Sequence, residues 1–134
     1  MNHIERLKLG SDELFEKGNF NFIDELFSKS YIAHAGSKDY RGHEFISRFM
    51  EQLRSAIPDL RVVKVELLTQ SGDTITWQRT LRGTHKANIM GAKPSGQKVE
   101  WRDMVVSRFD DEKIIEEWII SELAGELLSK PPLA

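Results

Sequence analysis

TITWQRTLRGTH, residues 74–85, switches side-chain character at nearly every step, and that switching decides the fold class. Its odd positions include Ile75, Trp77, Arg79, Leu81 and His85. Its even positions are Thr76, Gln78, Thr80, Arg82 and Thr84, a nearly uniform polar row. A period of two marks a strand with one covered face and one wet face. The same period continues on both sides. Residues 60–70 read as a preceding strand, joined through the turn Ser71-Gly72-Asp73. Residues 99–109 read as a following strand, with Val99, Trp101, Asp103, Val105 and Phe109 on one side. Asp110-Asp111-Glu112-Lys113 reads as a hairpin turn, and residues 114–123 as the last strand. Counting that strand by twos puts Trp118, Ile120 and Glu122 on one face. Between them, residues 88–97 hold two Gly and a Pro and read as a loop, whose glycines permit a lid.

Upstream the period lengthens. Ile4, Leu7, Leu14 and Phe15 fall at helical spacings, and that helix ends near Lys17-Gly18. Residues 22–27 predict a second short helix. Tyr31-Ile32-Ala33-His34 predicts an extended segment, followed by a loop over residues 35–42. Phe45, Ile46, Phe49, Met50, Leu53 and Ile57 mark an amphipathic helix closed by Pro58. Helices first and long antiparallel strands afterwards predict an α+β fold. A curved sheet wrapped over the helices is expected to leave one pocket between the two layers. The 134 residues suit a single domain, 1–134. Residues 129–134 read as a frayed tail.

Composition removes several function classes. The formal net charge is −2, and charges of both signs are mixed along the chain, so no nucleic-acid partner is expected. There is no cysteine, hence no disulfide, thiolate metal site or cysteine nucleophile. No apolar run approaches the length of a membrane span, and MNHIERLKLG is polar rather than signal-like. A soluble, cytoplasmic protein without a membrane partner is expected. No GxSxG, HExxH, GxGxxG or P-loop appears.

What remains is a constellation of polar groups on apolar faces. Trp77, Trp101 and Trp118 are assigned inward, and Arg79, His85, Asp103 and Glu122 share those faces. His34, on the short extended segment, can join them. Polar side chains on an apolar face must find partners or do a job. One reading is a small-molecule pocket with aromatic walls and a few ionisable groups. Glu122 beside Trp118 would then be partly desolvated, which raises a carboxyl pKa and suits a general base. The competing reading is core packing, with Arg79 ion-paired to Glu122 or Asp103. Two further readings stay open. His34, His85, Asp103 and Glu122 are ligand types for zinc or iron, though no spacing supports a metal site. Asp103 with Arg79 could activate water, for instance toward an epoxide.

The segment Leu81-Arg82-Gly83-Thr84-His85, then Met90-Gly91, Pro94-Ser95-Gly96 and Val99, resembles the SnoaL-like polyketide cyclases of the nuclear-transport-factor-two-like superfamily. So do residues 109–118 and the C-terminal Leu123-Ala124-Gly125-Glu126-Leu127-Leu128. Upstream, Tyr31-Ile32-Ala33-His34, Arg41-Gly42 and Pro58-Asp59-Leu60-Arg61 are similar too. The likeness runs from about residue 5 to residue 128. It implies a cone: a strongly bent mixed sheet wrapped around N-terminal helices, enclosing one pocket. It also implies a ring closure by intramolecular aldol condensation, with no cofactor and no metal. Glu122 stands at the position resembling the family's acid/base carboxylate, commonly Asp. His85 and His34 match family histidines that could hold a substrate oxygen. The resemblance further implies a homodimer with sheets back to back. The wider superfamily includes isomerases, epoxide hydrolases and non-catalytic binding domains, so those readings remain beside the cyclase.

Overall fold

The computed structural model describes residues 1–133. Helix α1 (His3–Ser11) starts at Asn2, whose side chain accepts the Glu5 N–H at 2.9 Å. It runs on into one π turn, Asp12–Glu16, which carries the buried Leu14 and Phe15. Gly18, at φ +68°, turns the chain where a side chain would be strained and would also meet Arg54. Short helix α2 (Phe22–Leu26) leads directly into β1 (Phe27–Ala35). The expected loop over residues 35–42 instead holds a short strand, β2 (Lys38–Arg41), hairpinned onto β1. Helix α3 (Gly42–Ala56) follows, then β3 (Arg61–Ser71), β4 (Thr74–Thr84), β5 (Lys98–Asp110), β6 (Lys113–Ser121) and α4 (Leu123–Leu128).

The six strands form one mixed sheet in the order β2-β1-β6-β5-β4-β3. Only β1 and β6 run parallel; every other neighbouring pair is antiparallel. The sheet curves without closing into a barrel. Register shifts leave Val63 and Leu68 in β3, Ile115 in β6 and residues 28–31 of β1 without a partner opposite. Such bulges kink a strand and increase its twist, which bends a sheet over a helical layer. The helices press Leu7, Leu14, Phe15, Met50 and Leu53 onto Ile75, Trp77, Leu81, Trp101 and Val105, making one continuous core. The approach is tightest at Gly83, where an added Cβ would stand 2.2 Å from Ile57 Cγ2.

The alternation in β4 and β5 holds: Ile75, Trp77, Val99, Trp101, Asp103, Val105 and Phe109 are all buried. In β6 it fails. Ile114 and Glu117 are buried, while Trp118 and Ile120 are exposed. The bulged Ile115 adds one residue between Ile114 and Glu116, and one extra residue sends every later side chain to the opposite face. Trp118 therefore lies on the outer face, contrary to the strand count.

The loop of residues 88–97, whose glycines permit a lid, is packed down in this structure. Ile89 and Ala92 exchange backbone hydrogen bonds around a tight turn with Met90 and Gly91 at positive φ. Ile89, Ala92 and Ser95 are buried. The tail assists: the Leu133 N–H donates to the Pro94 carbonyl at 2.9 Å. Residues 131–133 otherwise lack secondary structure and are exposed, and residue 134 lies outside the described residues. No helix among the described residues is long and apolar enough to cross a membrane.

Candidate active site

Five of the residues singled out above face the interior: Trp77, Arg79, His85, Trp101 and Asp103. Arg79 and Asp103 are cross-strand neighbours in register on β4 and β5. Arg79 Nε donates to Asp103 Oδ2 at 2.9 Å, with both side chains almost removed from solvent. The Arg79 guanidinium lies 4.1 Å from the centre of the Phe15 ring and 5.2 Å from that of Trp77. Flat stacking of a guanidinium on aromatic faces is favourable where water is scarce. The second carboxylate oxygen, Asp103 Oδ1, is buried and has no hydrogen-bond partner among the described residues.

His85 is wholly buried, and neither ring nitrogen has a partner among the described residues. Its backbone holds the loop base instead, donating to the Gln97 carbonyl and accepting from the Gly96 N–H. Six residues of extended chain, roughly 3.3 Å each, carry it about 20 Å along the strand from Arg79. The interior residues therefore do not all converge on one point.

Three residues assigned to the pocket lie outside it. Trp118 and His34 are register partners on the outer face, with rings stacked at 5.2 Å. His34 bridges two carboxylates there, Nδ1 to Asp39 at 2.7 Å and Nε2 to Glu116 at 2.6 Å. Glu116 is also gripped by Arg108. The carboxylates, Glu116 first and then Asp39, hold the His34 imidazole above its usual value. Glu122 falls after β6 has ended, on the surface at the start of α4. Arg102 clasps it with Nε at 2.9 Å and Nη2 at 2.8 Å. Those hydrogen bonds hold the Glu122 carboxyl below its usual value, the opposite of the desolvation expected for it. His34, His85, Asp103 and Glu122 are thus dispersed, and no trio of His, Asp or Glu among the described residues is placed to hold a metal ion.

The sequence reading missed Glu117. It is buried on β6 and accepts hydrogen bonds from Tyr31 Oη at 2.7 Å and Ser107 Oγ at 2.5 Å. Trp77 Nε1 donates to the same Ser107 hydroxyl at 2.8 Å. This chain of polar groups ties β4, β5, β6 and β1 together inside the core. Burial raises the Glu117 carboxyl, against the two hydroxyls and the charge of Arg79. Burial and the neighbouring Glu117 push the Tyr31 hydroxyl well up. A usable signal was present. Two adjacent acids in Ile114-Ile115-Glu116-Glu117-Trp118 sit on a strand, and neighbouring side chains on a strand point to opposite faces. Because the bulge falls before Glu116, the two acids still alternate, and one of them faces inward.

Open clefts lie elsewhere. One is bordered by Asp59, Arg61, Arg82, Lys98 and Glu100 at the end of β3–β5; another surrounds the β5–β6 turn. Neither touches Asp103. Where the single enclosed pocket was expected between the layers, the Phe15 ring lies over the Arg79 guanidinium.

A family model for SnoaL-like polyketide cyclase matches residues 5–128. No curated protein matches the chain. Among solved structures, IdmH of Streptomyces antibioticus, provisionally a polyketide cyclase, is 25% identical. The similarity covers 95% of this chain and 97% of that one, with a TM-score of 0.77. A provisionally named SnoaL-like polyketide cyclase from a Jannaschia species is 24% identical, covering 96% and 93% of the two chains at a TM-score of 0.78. AclR of Streptomyces galilaeus, provisionally a hydroxylase, is also 24% identical, covering 97% and 100% at 0.76.

Proposed function

The chain belongs to the SnoaL-like polyketide cyclase family, and from that premise we propose a cofactor-independent acid/base enzyme acting on an apolar, oxygenated small molecule. Asp103, rather than Glu122, is the residue we assign as its proton-transferring carboxylate. One observation carries this reading: Asp103 is a buried carboxylate, anchored by Arg79 through Oδ2, with Oδ1 uncommitted among the described residues. Glu117 is the rival, but both of its oxygens are occupied by hydroxyl donors.

In this reading Asp103 Oδ1 takes a proton from a carbon activated by a neighbouring carbonyl. The C–H bond breaks, and its electron pair forms the new C–C bond to a carbonyl of the same molecule. The resulting alkoxide takes the proton back from Asp103, so no atom or electron is left over. Arg79 spends Nε on Asp103, and its Nη groups remain to hold the oxygen where charge develops. The protein's largest contribution is positional, since holding two reacting carbons together removes an entropic cost. In this reading the Phe15 ring, which covers the Arg79 guanidinium, moves aside to admit the substrate.

Product analysis with a panel of polyketide-like esters, ketones and terpenoid epoxides tests the proposal. Turnover should vanish in Asp103→Asn and survive in Glu122→Gln. Turnover that survives in Asp103→Asn sinks the assignment. Binding without product in the wild type supports the non-catalytic alternative.

A specific observation favours a second reaction of the same pair. Arg79 and Asp103 share one face and touch, as water activation toward an epoxide requires. Asp103 would take a proton from water as the water oxygen attacks an epoxide carbon; that carbon's bond to the ring oxygen breaks, and the ring oxygen takes the proton back from Asp103, leaving a diol. Oxygen-18 from labelled water in the product identifies this route, because the cyclisation incorporates none.

We also propose a homodimer through the outer face. Met104, Trp118 and Ile120 are 44%, 42% and 75% exposed, and Met104 and Ile120 are register partners. Cations and anions flank them, Arg102 with Glu122 and Arg108 with Glu116, so a two-fold copy can set opposite charges against each other. Light scattering should give a dimer mass for the wild type and a monomer for Ile120→Arg; a monomeric wild type overturns this.

A further inference from the structure

The core holds one guanidinium and two carboxyl groups: Arg79, Asp103 and Glu117. Arg79 touches Asp103, whereas Glu117 touches only the neutral hydroxyls of Tyr31 and Ser107. With both carboxyls ionised the interior carries one negative charge in excess, and such a charge is expensive away from water.

We propose that this buried group rests with one proton stored on Glu117, which leaves Asp103 as the sole anion opposite Arg79. The inference deepens the acid/base reading and rests on it for the proton's use in turnover. The stored proton is what makes Asp103, of the two buried carboxyls, the one available as a base.

Hydrogen counting shows both why Glu117 can hold a proton and why it holds it loosely. Three hydrogens serve three contacts: Trp77 Nε1–H to Ser107 Oγ, Ser107 O–H to Glu117, and Tyr31 O–H to Glu117. A proton on Glu117 makes four hydrogens for the same three contacts, so one hydroxyl hydrogen loses its acceptor. An unpaired neutral hydroxyl hydrogen costs less than a desolvated carboxylate without a cation, so the proton stays. Among the described residues, Arg79 is the one charge that acts on Glu117. On β6 itself Glu116 points outward to His34 and Arg108. On β1, Lys29 is exposed; on β5, Arg102 and Arg108 are exposed; on α2, Asp24 and Glu25 are exposed while Ile23 and Leu26 face the core. Burial accordingly acts on the Glu117 carboxyl in the upward direction.

Trp77 reports on the charge, because its indole N–H ends the chain at Ser107. The experiment follows the indole N–H resonances of the three tryptophans by proton–nitrogen NMR across pH, in the wild type, Glu117→Gln and Asp103→Asn. The expected result is a Trp77 transition in the wild type with its midpoint above the ordinary carboxylate range, and a flat Trp77 in Glu117→Gln. Asp103→Asn should move the midpoint down, because Arg79 is then free to favour the Glu117 anion. Should Glu117→Gln fail to fold, the wild type and Asp103→Asn still decide. A flat wild-type Trp77, a midpoint in the ordinary carboxylate range, a transition that persists in Glu117→Gln, or an unmoved midpoint in Asp103→Asn overturns the inference. Turnover lost in Asp103→Asn beside a flat Trp77 rejects the stored proton and leaves the base assignment standing. A Trp77 transition with turnover intact in Asp103→Asn does the reverse.

Discussion

Ser107 on β5 and Glu117 on β6 stand opposite each other and share a hydrogen bond, because Ile115 is inserted without a partner two residues before Glu117. That single extra residue decides which side of β6 meets the core. It brings in Glu117 and puts Trp118 outside.

Deleting Ile115 removes the bulge and brings Glu116 next to Ile114, so strict alternation keeps Glu116 outward and Glu117 inward, in the register they already hold against Arg108 and Ser107. The deletion should therefore be tolerated, at a cost below about 3 kcal/mol, the ordinary range for a single change. Thermal unfolding followed by circular dichroism checks it, and loss of the folded state would show that the extra residue does more than set which face of β6 meets the core.

The contact between Gly83 and Ile57 predicts a second effect. A Cβ at Gly83 would stand 2.2 Å from Ile57 Cγ2, on a buried branched side chain, and 3.1 Å from Asp59 Oδ1, so Ile57 must shift to admit it. Gly83→Ala should destabilise by about 1–3 kcal/mol, as overpacking does. Urea denaturation measures it.

Breaking the Arg79–Asp103 pair should be costly. Arg79→Met leaves Asp103 buried without its cation. A loss of about 3–5 kcal/mol is expected at neutral pH. The double variant Arg79→Met, Asp103→Leu should regain much of it, because apolar residues of similar size replace buried ion pairs well. Urea denaturation of both variants separates the unpaired charge, present only in the single variant, from the packing on Phe15 lost in both.

His34 makes a pH-dependent clamp between β2 and β6. Its imidazole is held above its usual value by Glu116 and Asp39. Its contribution is therefore full below the free imidazole value of about 6.5 and is lost as pH rises through the raised folded value. Both ring nitrogens can donate to carboxylates only when the ring is charged. The melting temperature of the wild type should decline over that window, and His34→Gln should flatten the decline. An identical pH profile in the variant would contradict the clamp.

The strand period carried the fold a long way. Trp77, Trp101 and Asp103 were placed correctly because β4 and β5 pair without interruption from Thr74–Arg108 to Thr84–Lys98. The site was less legible. A bulge costs little energy and leaves no motif in Ile114-Ile115-Glu116, so parity could not be carried past it to Trp118 or Glu122. Glu122 was also treated as a strand residue, although β6 ends at Ser121 and α4 begins at Leu123. His34 failed for a different reason. A four-residue run gives no way to tell which of its faces is covered. Side-chain pairing between distant strands, such as Tyr31 with Glu117, depends on strand order, and the parallel β1–β6 contact was not encoded in any local pattern.

The most direct test of Asp103 as the proton-transferring carboxylate is solvent-deuterium exchange at the activated carbon of a β-keto ester, followed by proton NMR. It reads the first chemical step without requiring the natural substrate. Wild type and Glu122→Gln should catalyse exchange equally, and Asp103→Asn should slow it by about 10²-fold or more, the usual contribution of a positioned base. Exchange at the wild-type rate in Asp103→Asn, or its loss in Glu122→Gln alone, would contradict the account.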